Sequence, residues 1–241
     1  MSLDIDFAAR RPWVVTQIIA RCASGPGGRP VAEEDVWRWT LPQRTQALLA
    51  VARARGTDSV AALARCPRAG CGERTEMELG LASLASAAET EFFPWQGDAG
   101  RLLLRLPTGD DQRRWLAAAP ADAAELPLAM ASSLVCEVDG AAREDAWQLP
   151  EPWLPGVEDA LAEHDPLTAL NVTAACAGCG GELVAEIDLE ALLLQELERA
   201  QRELLSDVHA LASAYHWSEA QILRLPAWRR ARYLAAVRGE A

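Results

Sequence analysis

The sequence predicts an α+β fold in which a small β unit is surrounded by helices and followed by a long amphipathic helix. Three observations predict it. Two cysteine knuckles, Cys66-Pro-Arg-Ala-Gly-Cys71-Gly72 and Cys176-Ala-Gly-Cys179-Gly180, each place two thiols on a tight turn followed by glycine. Strand-like segments follow both knuckles. The one from Thr75 alternates polar and apolar residues, as a half-exposed strand does, and the other is Glu182–Ile187. After Leu189, the residues Leu193, Leu197, Ala200, Leu204, Val208, Leu211 and Tyr215 recur at steps of three and four, one apolar stripe over about seven turns.

Four thiolates brought together from two such knuckles make a closed tetrahedral zinc site, so Cys66, Cys71, Cys176 and Cys179 are the expected ligands of one structural Zn²⁺. Cys-x₂-Cys at 176–179 is a strong half-site; Cys-x₄-Cys at 66–71 lies at the loose end of the usual spacing. Setting Cys71 on Cys179 aligns CGERTEMELGLASL with CGGELVAEIDLEAL without gaps, so that Leu79 matches Ile187 and Leu81 matches Leu189. Two similar knuckles facing across a metal is the geometry of a zinc ribbon. The long separation between the halves requires a subdomain inserted between them. A redox pair at Cys176/Cys179 is the runner-up reading; such pairs favour a helix N-terminus, whereas strands flank this turn. Thiols that have lost their metal or become oxidised complete the alternatives.

In chain order, Trp13–Ala20 reads as a short helix ended by Gly25-Pro-Gly-Gly28. Thr40-Leu-Pro-Gln43 has the form of a capping box, and Gly56 is a natural stop for the helix that follows. Residues 83–100 read as an irregular connection, with Phe92, Phe93 and Trp95 available for packing. Arg101–Leu106 is a strand, and Asp110 is expected to cap a helix from Asp111 that Pro120 breaks. A second helix is expected near 122–136, a turn at Asp139-Gly140 and a Pro/Trp-rich loop over 146–156. A helix over 157–164 and a strand over 169–174 lead to the second knuckle. Asp188 caps the long helix, Ser218-Glu-Ala-Gln221 is another capping box, and Leu225-Pro226 separates two short terminal helices. The expected organisation is a helical segment 1–56, the zinc-ribbon unit with its insert over 57–188, and a helical region 189–241.

The bulk numbers narrow the function. The 241 residues are enough for a real core, and 50 % apolar with 24 % charged residues is ordinary for a soluble globular protein. A net charge of −12 weighs against nucleic acid as a partner; Arg229-Arg230 and Arg232 are local exceptions. No apolar run reaches the length of a membrane span, and the N-terminus lacks a secretory signal, so a reducing cytoplasm is expected. There, paired cysteines hold metal more often than they form disulfides.

Catalytic patterns are missing: no Walker loop, no Gly-x-Gly-x-x-Gly after a strand, no Gly-x-Ser-x-Gly and no His-Glu-x-x-His. Pro107-Thr-Gly-Asp-Asp111 reads as a capped helix start and not an acidic metal loop, and Glu33-Glu34-Asp35 as a solvated run. Cys22 and Cys136 fall in apolar stretches that read as helical and are expected to be small core residues. His164, His209 and His216 form no ligand pattern. Of the tryptophans, Trp13, Trp37, Trp39, Trp95, Trp147, Trp153, Trp217 and Trp228 lie in linkers or near the ends. Gap-filling in a loop-rich core and partner hot spots are readings of equal standing for them.

Several stretches together carry a family resemblance: Arg105-Leu-Pro-Thr-Gly-Asp110, His164-Asp-Pro-Leu-Thr-Ala-Leu170, the Cys-x₂-Cys-Gly knuckle, Ile187-Asp-Leu, and above all Asp207–Glu219 with Ile222-Leu and Arg229-Arg-x-x-Tyr-Leu234. The combination resembles the zinc-ribbon proteins encoded in contractile phage-tail and extracellular contractile-injection gene clusters, themselves loosely similar to baseplate hub or hub-assembly proteins of T-even phages. It spans roughly 40–237 and is strongest over 164–234. Two departures stand out: Cys-x₄-Cys where the family has Cys-x₂-Cys, and Ala177 where proline is usual. The resemblance implies a non-enzymatic structural or chaperone-like assembly protein whose partners are baseplate, hub or tail proteins, with no membrane and no small-molecule substrate. The alternative is a zinc-ribbon nucleic-acid or transcription-associated module, which requires a basic stripe along one face. A zinc or thiol enzyme is the third hypothesis and requires an open coordination position or an activated thiol.

Overall fold

The computed structural model describes residues 4–84, 90–98, 100–118 and 123–240. Three helices open the chain: α1 (Arg11–Cys22), α2 (Glu33–Arg38) and α3 (Leu41–Ala54). Pro12 in the first turn of α1 loses no hydrogen bond there, because the first amides of a helix have no intrahelical partner. Thr40 caps α3 through a full capping box: its hydroxyl accepts from the Gln43 amide and the Gln43 side chain accepts from the Thr40 amide. The exposed Glu33, Glu34 and Asp35 form the first turn of α2, where negative charge suits the helix dipole.

A hairpin of β1 (Ser59–Arg65) and β2 (Arg74–Gly80) carries the first knuckle at its tip. The second hairpin, β7 (Leu170–Ala175) and β8 (Glu182–Ile187), carries the other. The intervening chain folds into its own antiparallel sheet in the order β3 (Phe92–Gly97), β4 (Gly100–Arg105), β5 (Val135–Val138), β6 (Ala141–Ala142). With it come α4 (Gly109–Ala118), α5 (Leu126–Ser133) and α6 (Leu154–His164). The long helix α7 (Leu189–Tyr215) follows β8 directly, then α8 (Glu219–Arg224) and α9 (Ala227–Arg238). Among the described residues, no helix is long and apolar enough to cross a membrane.

Three apolar clusters organise these elements. The first joins Ile18 and Ile19 of α1, Leu48 of α3, the inner faces of both knuckle hairpins, and Leu189, Leu193 and Leu197 of α7. The second lies in the inserted lobe around Phe93, Leu102, Leu104, Leu149 and Val157. The third gathers Leu211, Ile222 and Leu234 where α8 and α9 fold back on α7. The stripe read from the sequence is therefore divided: its first half serves the main core and its last turns a separate small one. Asp188 caps α7 by accepting from the Ala191 amide, and the helix ends at His216 in the left-handed region at φ 56°. His216 has thus left the helix that carries His209.

Several expectations need correcting. Ser59–Arg65, unassigned in the sequence reading, is the first strand of the knuckle hairpin; its run of small residues lacks the branched and aromatic bias of a strand. Residues 92–97, expected within an irregular connection, form β3 despite Pro94, which is tolerated because β3 is an edge strand. The helix expected over 122–136 is only Leu126–Ser133, and Cys136 lies in β5 and not in a helix. α6 begins at Leu154, three residues earlier than expected, after a short 3₁₀ turn at Glu151–Trp153. The cap at the start of α4 comes from Thr108 and not Asp110: the Thr108 hydroxyl accepts from the Asp111 amide, while the Asp111 carboxylate accepts from the Thr108 amide. The expected break at Pro120 lies outside the described residues.

Candidate metal centre

Each knuckle is shaped by backbone hydrogen bonds that turn its first amide back on the loop. The Cys66 amide donates to the Glu73 carbonyl at 2.8 Å, and the Cys176 amide donates to the Gly181 carbonyl at 2.8 Å. Gly72 and Gly180, the glycines after the second cysteines, have φ of 62° and 66°, a region that L side chains avoid. Gly178 is required for a different reason. A Cβ there would stand 2.9 Å from the Glu73 Cβ, so the second knuckle approaches the first closely at this point. The Ala177 amide donates to the Thr75 hydroxyl at 3.0 Å, a direct bond between the two hairpins.

These constraints bring all four predicted ligands together. One ligand atom from each of Cys66, Cys71, Cys176 and Cys179 lies within 4.8 Å of the others. Cys66 Sγ is 3.8 Å from Cys179 Sγ, and Cys71 Sγ is 3.7 Å from Cys176 Sγ. A tetrahedral ion bonded to sulfur at about 2.3 Å requires sulfurs about 3.8 Å apart. The donor set therefore fits a four-coordinate metal ion. All six cysteines are free thiols.

The sulfurs pair crosswise, the first of one knuckle with the second of the other. Burial follows the same pattern: Cys66 and Cys176 are buried, Cys71 is half-buried and Cys179 is exposed. Beyond the knuckles, Thr75, Met77 and Leu79 of β2 match Leu183, Ala185 and Ile187 of β8 in pointing inward, and Leu81 and Leu189 are both buried. The hairpins are thus near-repeats in structure as well as in sequence. They part company after Leu81 and Leu189, where one chain turns and the other enters α7.

The electrostatics single out one thiol. Amide N–H groups of Cys179 and Gly178 point at the Cys176 sulfur and pull its pKa down to about 6. The Glu73 amide pulls Cys71 down, but burial and the three neighbouring sulfurs outweigh it and push that thiol up to about 11. Cys66 is also raised: the Arg68 amide favours the thiolate, while burial and the sulfurs of Cys176 and Cys179 oppose it. Sulfurs this close cannot all carry charge without a cation among them. A metal ion supplies that cation and lets all four act as thiolates.

The other candidates do not join this cluster. Cys22 and Cys136 are half-buried thiols raised chiefly by burial. His164 is stacked on Phe93 with ring centroids 3.8 Å apart and its Nδ1 is 2.8 Å from the Ala160 carbonyl oxygen, a packing role. Asp111 is fully buried and bonded to Arg105, Arg114 and Thr108 within the lobe, as a capped helix start requires.

Sequence reading missed a second polar centre, at Arg44. This residue is 0 % exposed. Its guanidinium donates to the carbonyls of Val36 and Pro12 at 3.0 and 2.8 Å and to the Thr16 hydroxyl at 3.0 Å, with the Trp37 ring 5.1 Å away. Burial lowers its pKa to about 10, which leaves it charged at neutral pH. It also backs the insert: a Cβ at Gly109 would lie 2.6 Å from its Nη1. Beside it the Leu41 amide donates to the Pro107 carbonyl, and the Gly109 amide to that of Trp39. Its neighbours Gln43, Thr45 and Gln46 are polar, so nothing in the sequence hints at its burial.

Comparison with family models, curated proteins and solved structures yields no match for this chain.

Proposed function

We propose that this chain is a non-enzymatic structural or assembly protein of the baseplate of a contractile, phage-tail-like injection apparatus, held together by one structural zinc ion. The observation that carries the zinc reading is the compact cluster of four sulfurs drawn from two distant hairpins. An all-cysteine tetrahedral set suits Zn²⁺ or iron, and we take it as a site for Zn²⁺, whose four positions the four thiolates would fill. Such a site cross-links the polypeptide and leaves no position for substrate. The baseplate assignment rests on the resemblance over residues 164–234, supported by an acidic chain with exposed apolar side chains suited to protein contact. In this reading the protein works in the cytoplasm, either transiently or as part of the particle.

Two measurements test it. Metal analysis of the purified protein should find zinc at about one ion per chain; absence of bound metal after purification under reducing conditions, without chelator, would defeat the zinc reading. Affinity capture from cells carrying the neighbouring genes should recover hub or tail-tube components. Recovery with DNA and without particle proteins would favour the nucleic-acid module instead.

A further inference from the structure

The acidic chain ends in a basic element. Residues 219–238 hold five arginines against one glutamate, a net +4, while the whole chain carries −12, leaving −16 on the remainder. Trp228, in the first turn of α9, is 69 % exposed, the most exposed of the large apolar side chains among the described residues. Ala231, Arg232 and Ala235 lie three, four and seven residues further on, on the same helical face. The opposite face, with Leu234 and Tyr233, packs on α7 and α8.

This tip is a firm base. Tyr215 stacks on Trp217 with centroids 4.7 Å apart, Tyr233 meets the two edge-on at 5.5 and 5.0 Å, and Arg229 donates to the Tyr233 hydroxyl at 3.2 Å. Arg238 is paired with Asp207. Among the described residues no carboxylate forms an ion pair with Arg224, Arg229 or Arg232. Exposed cations without carboxylate partners, close in sequence to one large exposed ring, are the composition of a binding hot spot.

We propose that the outward face of α9, centred on Trp228 and rimmed by Arg224, Arg229 and Arg232, docks onto an acidic protein surface that offers an apolar socket for the indole. The exposed indole requires an apolar socket, which a protein surface offers and a duplex phosphate backbone does not. A single bulky apolar side chain without an apolar stripe does not suit a lipid surface. The inference does not depend on the baseplate reading.

The test uses the intact protein and a labelled glutamate-rich peptide with a central Leu-Phe segment as probe, with a DNA duplex and anionic lipid vesicles as competitors. The peptide should bind in low salt. Trp228→Ala should weaken it about tenfold, and the pair Arg224→Glu and Arg232→Glu should abolish it, with the melting temperature unchanged in both variants. Three outcomes overturn the proposal: no binding of the peptide, equal binding by the Trp228→Ala protein, or tighter binding of DNA or vesicles through the same residues.

Discussion

The molecule has two joints that hold distant pieces of chain together, and they work by opposite chemistry. At one, four sulfurs meet between the β1–β2 and β7–β8 hairpins. At the other, Arg44 binds α1 and α2 through two carbonyl oxygens and a hydroxyl and packs closely against Gly109 at the start of α4. The first draws like groups together and needs a cation to hold them. The second brings its own cation and surrounds it with dipoles, with no carboxylate directly bonded to it among the described residues. A joint of the first kind depends on what is bound; a joint of the second kind is complete once the chain has folded.

The largest expected effect separates them on that basis. Cys176→Ser removes a buried member of the four-sulfur cluster, the one whose pKa is pulled down by amide N–H groups. It should cost about 4 kcal/mol or more, a fall in melting temperature of roughly 10 °C for a chain of this size. A strong chelator should produce a similar fall in the wild-type protein and little further change in the variant. An unchanged melting curve in either experiment would break the account of the first joint. Cys179→Ser, at the exposed corner, should act in the same direction.

Arg44→Met tests the second joint. It fills much of the space but removes three hydrogen bonds from a charged donor, a loss of about 3 kcal/mol, while the Val36 carbonyl keeps the Trp39 amide and the Pro12 carbonyl keeps the Thr16 hydroxyl. The chelator should still destabilise this variant by the wild-type amount, because the two joints are separate. Gly109→Ala should mimic part of the loss, about 1–3 kcal/mol, because its methyl group would press on the guanidinium.

The two joints also differ in how far they can be read from sequence, and the reason is physical. Paired cysteines have a narrow chemical signature, so type and spacing single out Cys66, Cys71, Cys176 and Cys179, which the fold brings together. Caps are nearly as plain: Thr40, Asp188 and Ser218 act on amides three residues away, and all three cap as the sequence predicts. Arg44 acts on carbonyls in α1 and α2, and nothing within its own helix marks it as buried. The strand Ser59–Arg65 was hidden for a related reason. Its partner β2 and the core behind it decide its conformation, and Ala61, Ala62 and Ala64 carry no preference for it. In the insert, Phe92–Gly97 became a strand only through pairing with β4.

A pH titration sharpens the contrast through the lobe that Arg44 supports. Burial alone would raise the Asp111 carboxyl, but hydrogen bonds from Arg105 and Thr108 outweigh it and hold it down at about 2. A carboxyl depressed in the folded state stabilises the fold above its unfolded value, near 3.8, and loses that contribution as pH falls towards 2. The shift is equivalent to roughly 2 kcal/mol. Asp111→Asn should therefore lower stability at neutral pH and flatten its decline between about pH 4 and 2.

The smallest effect concerns how closely the knuckles meet. Gly178→Ala would place a methyl 2.9 Å from the Glu73 Cβ and 3.5 Å from the Cys71 sulfur. Neither backbone can retreat easily, since the Ala177 amide is bonded to Thr75 across the same gap. The expected cost is about 1–2 kcal/mol, with the ion retained but more readily removed by chelator. Gly180→Ala meets no neighbour, and its cost comes only from the left-handed backbone at φ 66°, about 1 kcal/mol. Comparing the two by chelator sensitivity distinguishes crowding between the hairpins from strain within one. If the Gly180 variant releases metal faster than the Gly178 variant, the local turn and not the meeting of the knuckles limits the site.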